Sequence, residues 1–172
     1  MSVRRSSNDT ARAPIAATSV ASSHSLRAVP TELSPRLAAV VNALPLQPQF
    51  RVLEIGCGPG AAARAVAVRL VTGHVLAIDR SAKAIAQART AAAAEIASGR
   101  MSLRQVAAEH VVLAADEEPF DLVFAIRVGA LDGRHPEAGE QALRRLGAVT
   151  RPGARLFIDG GHPLRELTIP RG

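Results

Sequence analysis

The chain has 172 residues, a hydrophobic fraction of 48% and a formal net charge of +6. That length sets one domain, and its core must be built from Val, Leu, Ile and Ala, because Trp and Tyr are absent and only four Phe occur. The composition excludes a membrane-spanning helix (no apolar run approaches ~20 residues) and an intrachain disulfide (one cysteine, Cys57), so a cytoplasmic protein without a membrane partner is expected.

Residues 1–30 are rich in Ser, Ala, Thr and Arg and carry no sustained apolar period, which predicts a disordered tail followed by one folded domain over 31–172. Ser34 and Pro35 suit an N-cap and a first helical position and open a helix to about residue 44. Leu37, Val40, Val41 and Leu44 give it one apolar face, and Pro45 and Pro48 end it. Alternation follows: a strand over 50–55, a helix over 61–71, a strand over 74–78, and a long Ala-rich helix from a Ser81 cap to about 97, ended by Gly99. Strands are predicted over 102–107 and 121–126, a helix from Pro136 to about 147, and a last strand over 154–159 after the Arg151-Pro152-Gly153 turn. The stretch 109–119 is too short and acidic for a crossover helix, so a loop or single turn is expected there. Strand and helix in alternation predict an α/β fold: an open, mainly parallel, doubly wound sheet covered on both faces. Phe50, Phe120, Phe124 and Phe157 fall in the strands and read as core. The arginines (Lys83 is the one lysine) are scattered rather than clustered, which speaks against nucleic acid as a partner.

The chemistry concentrates in Arg51-Val52-Leu53-Glu54-Ile55-Gly56-Cys57-Gly58-Pro59-Gly60. An apolar strand reaches an acid and then breaks into glycines at alternate positions. Glycine permits the sharp turn and lets a ligand approach the backbone, as where α/β sheets hold nucleotide-like cofactors. Glu54 suits a cofactor with positive charge better than a pyrophosphate. Cys57 reads as a small residue tolerated in a tight turn.

This run resembles motif I of the class I S-adenosylmethionine-dependent methyltransferases: an apolar strand, an acid, then Gly-x-Gly-x-Gly, as Glu54, Gly56, Gly58 and Gly60 stand here. The resemblance extends over about 50–161. It implies a Rossmann-like sheet of order 3-2-1-4-5 with the cofactor crevice between strands one and four, and S-adenosyl-L-methionine as cofactor. It also implies that most of the usual C-terminal antiparallel hairpin is lacking. Leu167, Thr168 and Ile169 supply at most one very short strand. The edge of strand five must then be covered either by residues 163–169 folding back or by a second chain. Because Leu164, Leu167 and Ile169 are apolar, a homodimer is the favoured expectation.

Ligands gather at the carboxyl ends of the strands in such sheets. Asp79 ends strand two and either accepts both ribose hydroxyls or caps the following helix. Asp79-Arg80-Ser81 matches the family's second motif. Ala108 and Glu109 occupy the place where the family meets adenine, or Glu109 is a solvated loop acid. Ile126 ends strand four and Arg127 follows it, where the family carries Asn, Asp or a small residue facing the methyl group, and both are expected at the cofactor. Arg127 either binds a substrate carboxylate or phosphate or is a surface arginine. His110, Asp132, His135 and His162 on the rim are the candidates for an acceptor base. No metal-ligand spacing occurs. The expected reaction is methyl transfer to a small-molecule acceptor. Two alternatives stand beside it: a methyltransferase-like domain that only binds, and an NAD(P)-dependent oxidoreductase, since Gly56-x-Gly58-x-x-Ala61 also fits that fingerprint. Against the latter, Glu54 would repel a pyrophosphate and no Tyr exists for a Tyr-Lys pair.

Overall fold

A computed structural model of the chain describes residues 33–171. The expected tail over 1–30 lies outside the described residues. The first helix, α1 (Pro35–Ala43), begins where Ser34 Oγ accepts the N–H of Leu37 at 3.3 Å. It is followed by β1 (Arg51–Ile55), α2 (Ala61–Arg69), β2 (His74–Asp79), α3 (Ala82–Ala91), α4 (Ala93–Ala97), β3 (Met101–Gln105), a 3-10 turn at Ala108–His110, β4 (Phe120–Ala125), α5 (Pro136–Val149), β5 (Thr150–Asp159) and β6 (Leu164–Leu167).

The six strands form one sheet in the order β3-β2-β1-β4-β5-β6, parallel except for β6. Alternate side chains feed two cores. Val52, Val75, Leu122 and Phe124 pack with Val41, Ala63 and Val66 on the face of α1 and α2. Leu53, Leu76, Val123 and Leu156 pack with Leu146 and Val149 on the face of α5. Burial on both faces is why these strands read as continuous apolar runs rather than alternating ones. β1 and β4 are neighbours, with Leu53 opposite Val123. The chain winds outward in opposite directions from that pair, and this is the switch point at which a crevice opens.

Three expectations are corrected. The helix predicted over 81–97 breaks at Ala92, which leaves helical geometry at φ −100, ψ 19. The break turns α4 toward α2, where Arg64 Nε meets Glu95 Oε1 at 3.3 Å. β5 begins at Thr150 rather than 154, and the Pro152-Gly153 turn is absorbed as a bulge. Phe120 pairs with Thr150 and Leu122 with Arg155, so β5 spends more residues than β4 over the same rise.

The third correction concerns the sheet edge. Residues 164–167 fold back as β6, antiparallel to β5, with Leu156 opposite Leu167 and Asp159 opposite Leu164. Arg155 and Glu166 close the pair with two hydrogen bonds, at 2.9 and 2.6 Å. Ile169 is buried against the α5 core. The chain itself therefore covers the edge of β5, and β6 becomes the outer strand of the sheet. Among the described residues no helix is long and apolar enough to cross a membrane.

Candidate functional site

The Gly-rich turn leaves β1 and is fastened to its neighbour strand. The N–H groups of Gly56 and Cys57 both donate to the Ile78 carbonyl, at 2.8 and 3.0 Å. Gly56 must lack a side chain because a Cβ there would stand 2.6 Å from Val128 Cγ2. Gly58 has φ +53, and an added Cβ would meet nothing within 4 Å, so its outer side is open to a ligand.

Asp79 locks the arrangement. Its Oδ2 accepts the Gly58 N–H at 2.9 Å, and its Oδ1 accepts the Ser81 N–H at 2.9 Å. The cap of α3 falls to Ser81, whose Oγ accepts the Ala84 N–H at 3.2 Å. A carboxylate offers roughly four acceptor positions, so Asp79 keeps capacity for hydroxyl donors after both backbone bonds.

Beside this turn lies a cavity of about 810 Å³, a volume suited to a cofactor with a small substrate. Of the residues expected at the site, Gly56, Asp79, Arg80, Ala108, Glu109, Arg127 and His135 line it. Cys57, Gly58, Gly60, Ser81 and Ile126 belong to the framing turn, helix cap and strand end, outside the cavity lining. His110 faces a neighbouring groove, bordered also by Glu109, with Gln141, Arg144 and Arg145. Asp132 is engaged by Arg134 at 2.7 Å, which holds its carboxyl below the usual range. His162 lies beyond β5 and away from the lining. The structure adds a wall that the sequence reading missed: Arg134 and the first turn of α5, with Pro136, Glu137 and Ala138. The one available signal was Pro136, since a helix opening just after strand four starts at the carboxyl edge of the sheet.

Glu54 sits deeper. It points to the α2 face between Ala77 and Phe124 and is 3% exposed, so it does not reach the cavity wall. Burial pushes its carboxyl up to about 8, the N–H of Ala63 acts in the opposite direction, and the charge of Asp79 adds to the rise. Its Oε2 has no hydrogen-bond partner among the described residues. Cys57 is also buried, and its thiol is pushed up to about 12 by burial and then by Glu54 and Asp79. A thiol held neutral in this way is no nucleophile. Among the described residues no three His, Cys, Asp or Glu side chains gather as a metal site.

A family model described as a methyltransferase domain matches residues 52–153, more than half of the chain. The chain belongs to the class I S-adenosylmethionine-dependent methyltransferases. The sheet order is that of their Rossmann-like fold, with β6 added at the edge. Solved structures superpose on it. YcgJ of Bacillus subtilis does so with a TM-score of 0.58 at 20% identity, over 72% of this chain and 49% of that one. The [4+2]-cyclase SpnF gives 0.58 at 26% identity, over 71% and 42%. Phosphoethanolamine N-methyltransferase 1 of Haemonchus contortus, solved with phosphoethanolamine and S-adenosylhomocysteine, gives 0.59 at 22%, over 72% and 24%. The chain thus spans half or less of the length of each of these proteins. No curated protein sequence matches it. Membership of the methyltransferases sets the nicotinamide reading aside.

Proposed function

We propose that this methyltransferase domain binds S-adenosylmethionine in the 810 Å³ cavity and directs its methyl group to a small-molecule acceptor. The observation that carries the reading is the bond from Gly58 N–H to Asp79 Oδ2 at 2.9 Å. It joins the Gly-rich turn and the end of β2 into one rigid cradle at the switch point of the sheet. Asp79 would take the ribose hydroxyls through its free acceptor positions. The backbone of Ala108 and the carboxylate of Glu109 would meet the adenine. Glu54, which burial holds protonated near neutral pH, would lose its proton and supply negative potential beneath the turn when a cationic group binds there.

The bound cofactor supplies a methyl group activated on a sulfonium, whose leaving group is a neutral thioether. What remains for the chain is positioning, because in-line displacement gains most of its rate from fixed geometry. Val128, Gly129 and Ala130 line the cavity next to the Gly-rich turn and would exclude water from the line of transfer. His135 is the candidate among the four expected bases that lines the cavity, and it would accept a proton from an acceptor whose nucleophile is protonated.

The likeness to SpnF, described as a cyclase, favours a second reading in which the same cradle holds the cofactor without transferring its methyl. One experiment separates the two. The protein is incubated with methyl-labelled S-adenosylmethionine and a panel of small amines, alcohols, thiols and acids. Label moving to an acceptor together with S-adenosylhomocysteine release supports transfer. Cofactor binding without transfer to any member supports the second reading.

A further inference from the structure

The cavity lining mixes charges: Asp79, Arg80 and Glu109 stand at or just after the ends of β2 and β3, and Arg127, Arg134 and Glu137 stand on the side of β4 and α5. The loop after β4 borders the Gly-rich turn, and Arg127 opens that loop. Among the described residues, Arg127 is the one non-glycine with a left-handed backbone, at φ 58. That conformation crowds the Cβ of an L-residue. It persists here because Asp159, at the end of β5, accepts the Arg127 N–H on Oδ1 at 2.8 Å. Arg36 of α1 holds the other oxygen of Asp159 at 2.8 Å. A strained residue fixed from two other elements at a cavity wall is the pattern expected where side-chain placement serves a ligand.

Two arginines of the lining, Arg80 after β2 and Arg127 after β4, make no ion pair among the described residues, and Arg127 is the one on the β4 side. Arg134 also lines the cavity, but Asp132 neutralises it at 2.7 Å, and it is tied back to the Arg127 carbonyl at 3.4 Å. Glu137 stands in the first turn of α5. The Arg127 side chain is exposed, lines the cavity and makes no ion pair among the described residues. A guanidinium offers a planar fork of donors that matches a carboxylate or phosphate with two parallel bonds.

Building on the methyltransferase reading above, we propose that the acceptor carries an oxyanion, a carboxylate or a phosphate, and that Arg127 receives it. The anion then fixes one end of the acceptor on the β4 side, and its nucleophilic atom faces the cofactor side of the cavity. Asp159 is the positioning residue that holds Arg127 in place.

The test uses the full chain saturated with S-adenosylhomocysteine, titrated by calorimetry and NMR with two probes, inorganic phosphate and benzoate. Millimolar binding of one or both is expected, and the tighter probe names the anion. Arg127→Gly suits the left-handed backbone and deletes the fork; it should keep the melting temperature while weakening the tighter probe about tenfold or more, and Arg127→Lys should weaken it less. Affinity for S-adenosylhomocysteine should stay within about twofold in both variants. Anion affinity unchanged in Arg127→Gly would overturn the proposal, as would the absence of binding by either anion to the wild-type chain. Loss of S-adenosylhomocysteine affinity with anion binding intact would overturn it too, by placing Arg127 on the cofactor's own carboxylate. Failure of the wild-type chain to bind S-adenosylhomocysteine would count against the methyltransferase reading alone. The anion titrations of the cofactor-free wild type and Arg127→Gly then still decide whether Arg127 holds an anion.

Discussion

The carboxylate of Asp79 accepts the N–H of Gly58, 21 positions earlier in the chain, at 2.9 Å. The acid that ends β2 therefore builds the turn that ends β1 as well as facing the cavity, and its replacement has two consequences. Asp79→Ala should lower unfolding free energy by about 1–3 kcal/mol, the cost of leaving the Gly58 and Ser81 N–H groups without their acceptor. It should also weaken S-adenosylhomocysteine by about 1.5–3 kcal/mol, the scale of hydrogen bonds to a charged group. Urea unfolding and calorimetry read the two separately. A variant as stable as the wild type would show that the turn does not depend on Asp79, and one with unchanged affinity would remove it from the site.

Gly58→Val tests the open side of the turn. Nothing lies within 4 Å of the added Cβ, so no atom is displaced, and the backbone penalty at φ +53 is the main structural cost. That cost is on the order of 1–2 kcal/mol, too small to unfold the domain. Cofactor binding should be abolished while circular dichroism stays native. Retained binding would put the ligand elsewhere.

Glu54 predicts a pH profile. Its carboxyl is raised from an ordinary 4.5 to about 8 in the folded chain. The folded state therefore binds a proton that the unfolded state has released between these values. The stabilisation is complete below pH 4.5 and is lost as pH rises through about 8. Glu54→Gln removes this slope, so from pH 5 to pH 9 the wild type should lose stability relative to the variant, by on the order of 4 kcal/mol at most. Parallel stability curves across that range would show that Glu54 is ionised in the fold.

Cys57 should be inert in the native chain. With its thiol buried and pushed up to about 12, iodoacetamide at pH 8 should leave it unmodified for hours and label it promptly after unfolding in urea. Rapid native labelling would mean that the turn opens readily, and the rigid-cradle account of the site would fail with it.

Much of this architecture was legible in the residues, and the parts that were not share a physical reason. The strands and the cofactor-side turn could be read because β1, β2 and β4 are mainly apolar, broken inside only by Glu54 and Asp121, and Glu54 to Gly60 combines an acid with alternate glycines; the strand order came with the family resemblance. The break at Ala92 carries no local signal, since alanines flank it on both sides and the turn is fixed by α4 packing toward α2. β6 was undervalued because Leu164 and Leu167 find their partners across the β5 edge, a register that no local pattern encodes. His110 was placed on the rim by strand position alone, yet the 3-10 turn at Ala108–His110 turns it into the neighbouring groove. The double duty of Asp79 was missed for the same reason: its partner Gly58 is distant in sequence. Pro136 marked the start of α5 but not that this first turn walls the cavity.

The most direct test of the account is a titration of the full chain with S-adenosylhomocysteine and, separately, with NADH. The account predicts micromolar binding of S-adenosylhomocysteine, with a melting temperature that rises with its concentration by mass action, and no binding of NADH. Binding of NADH alone, or of neither compound, would contradict it.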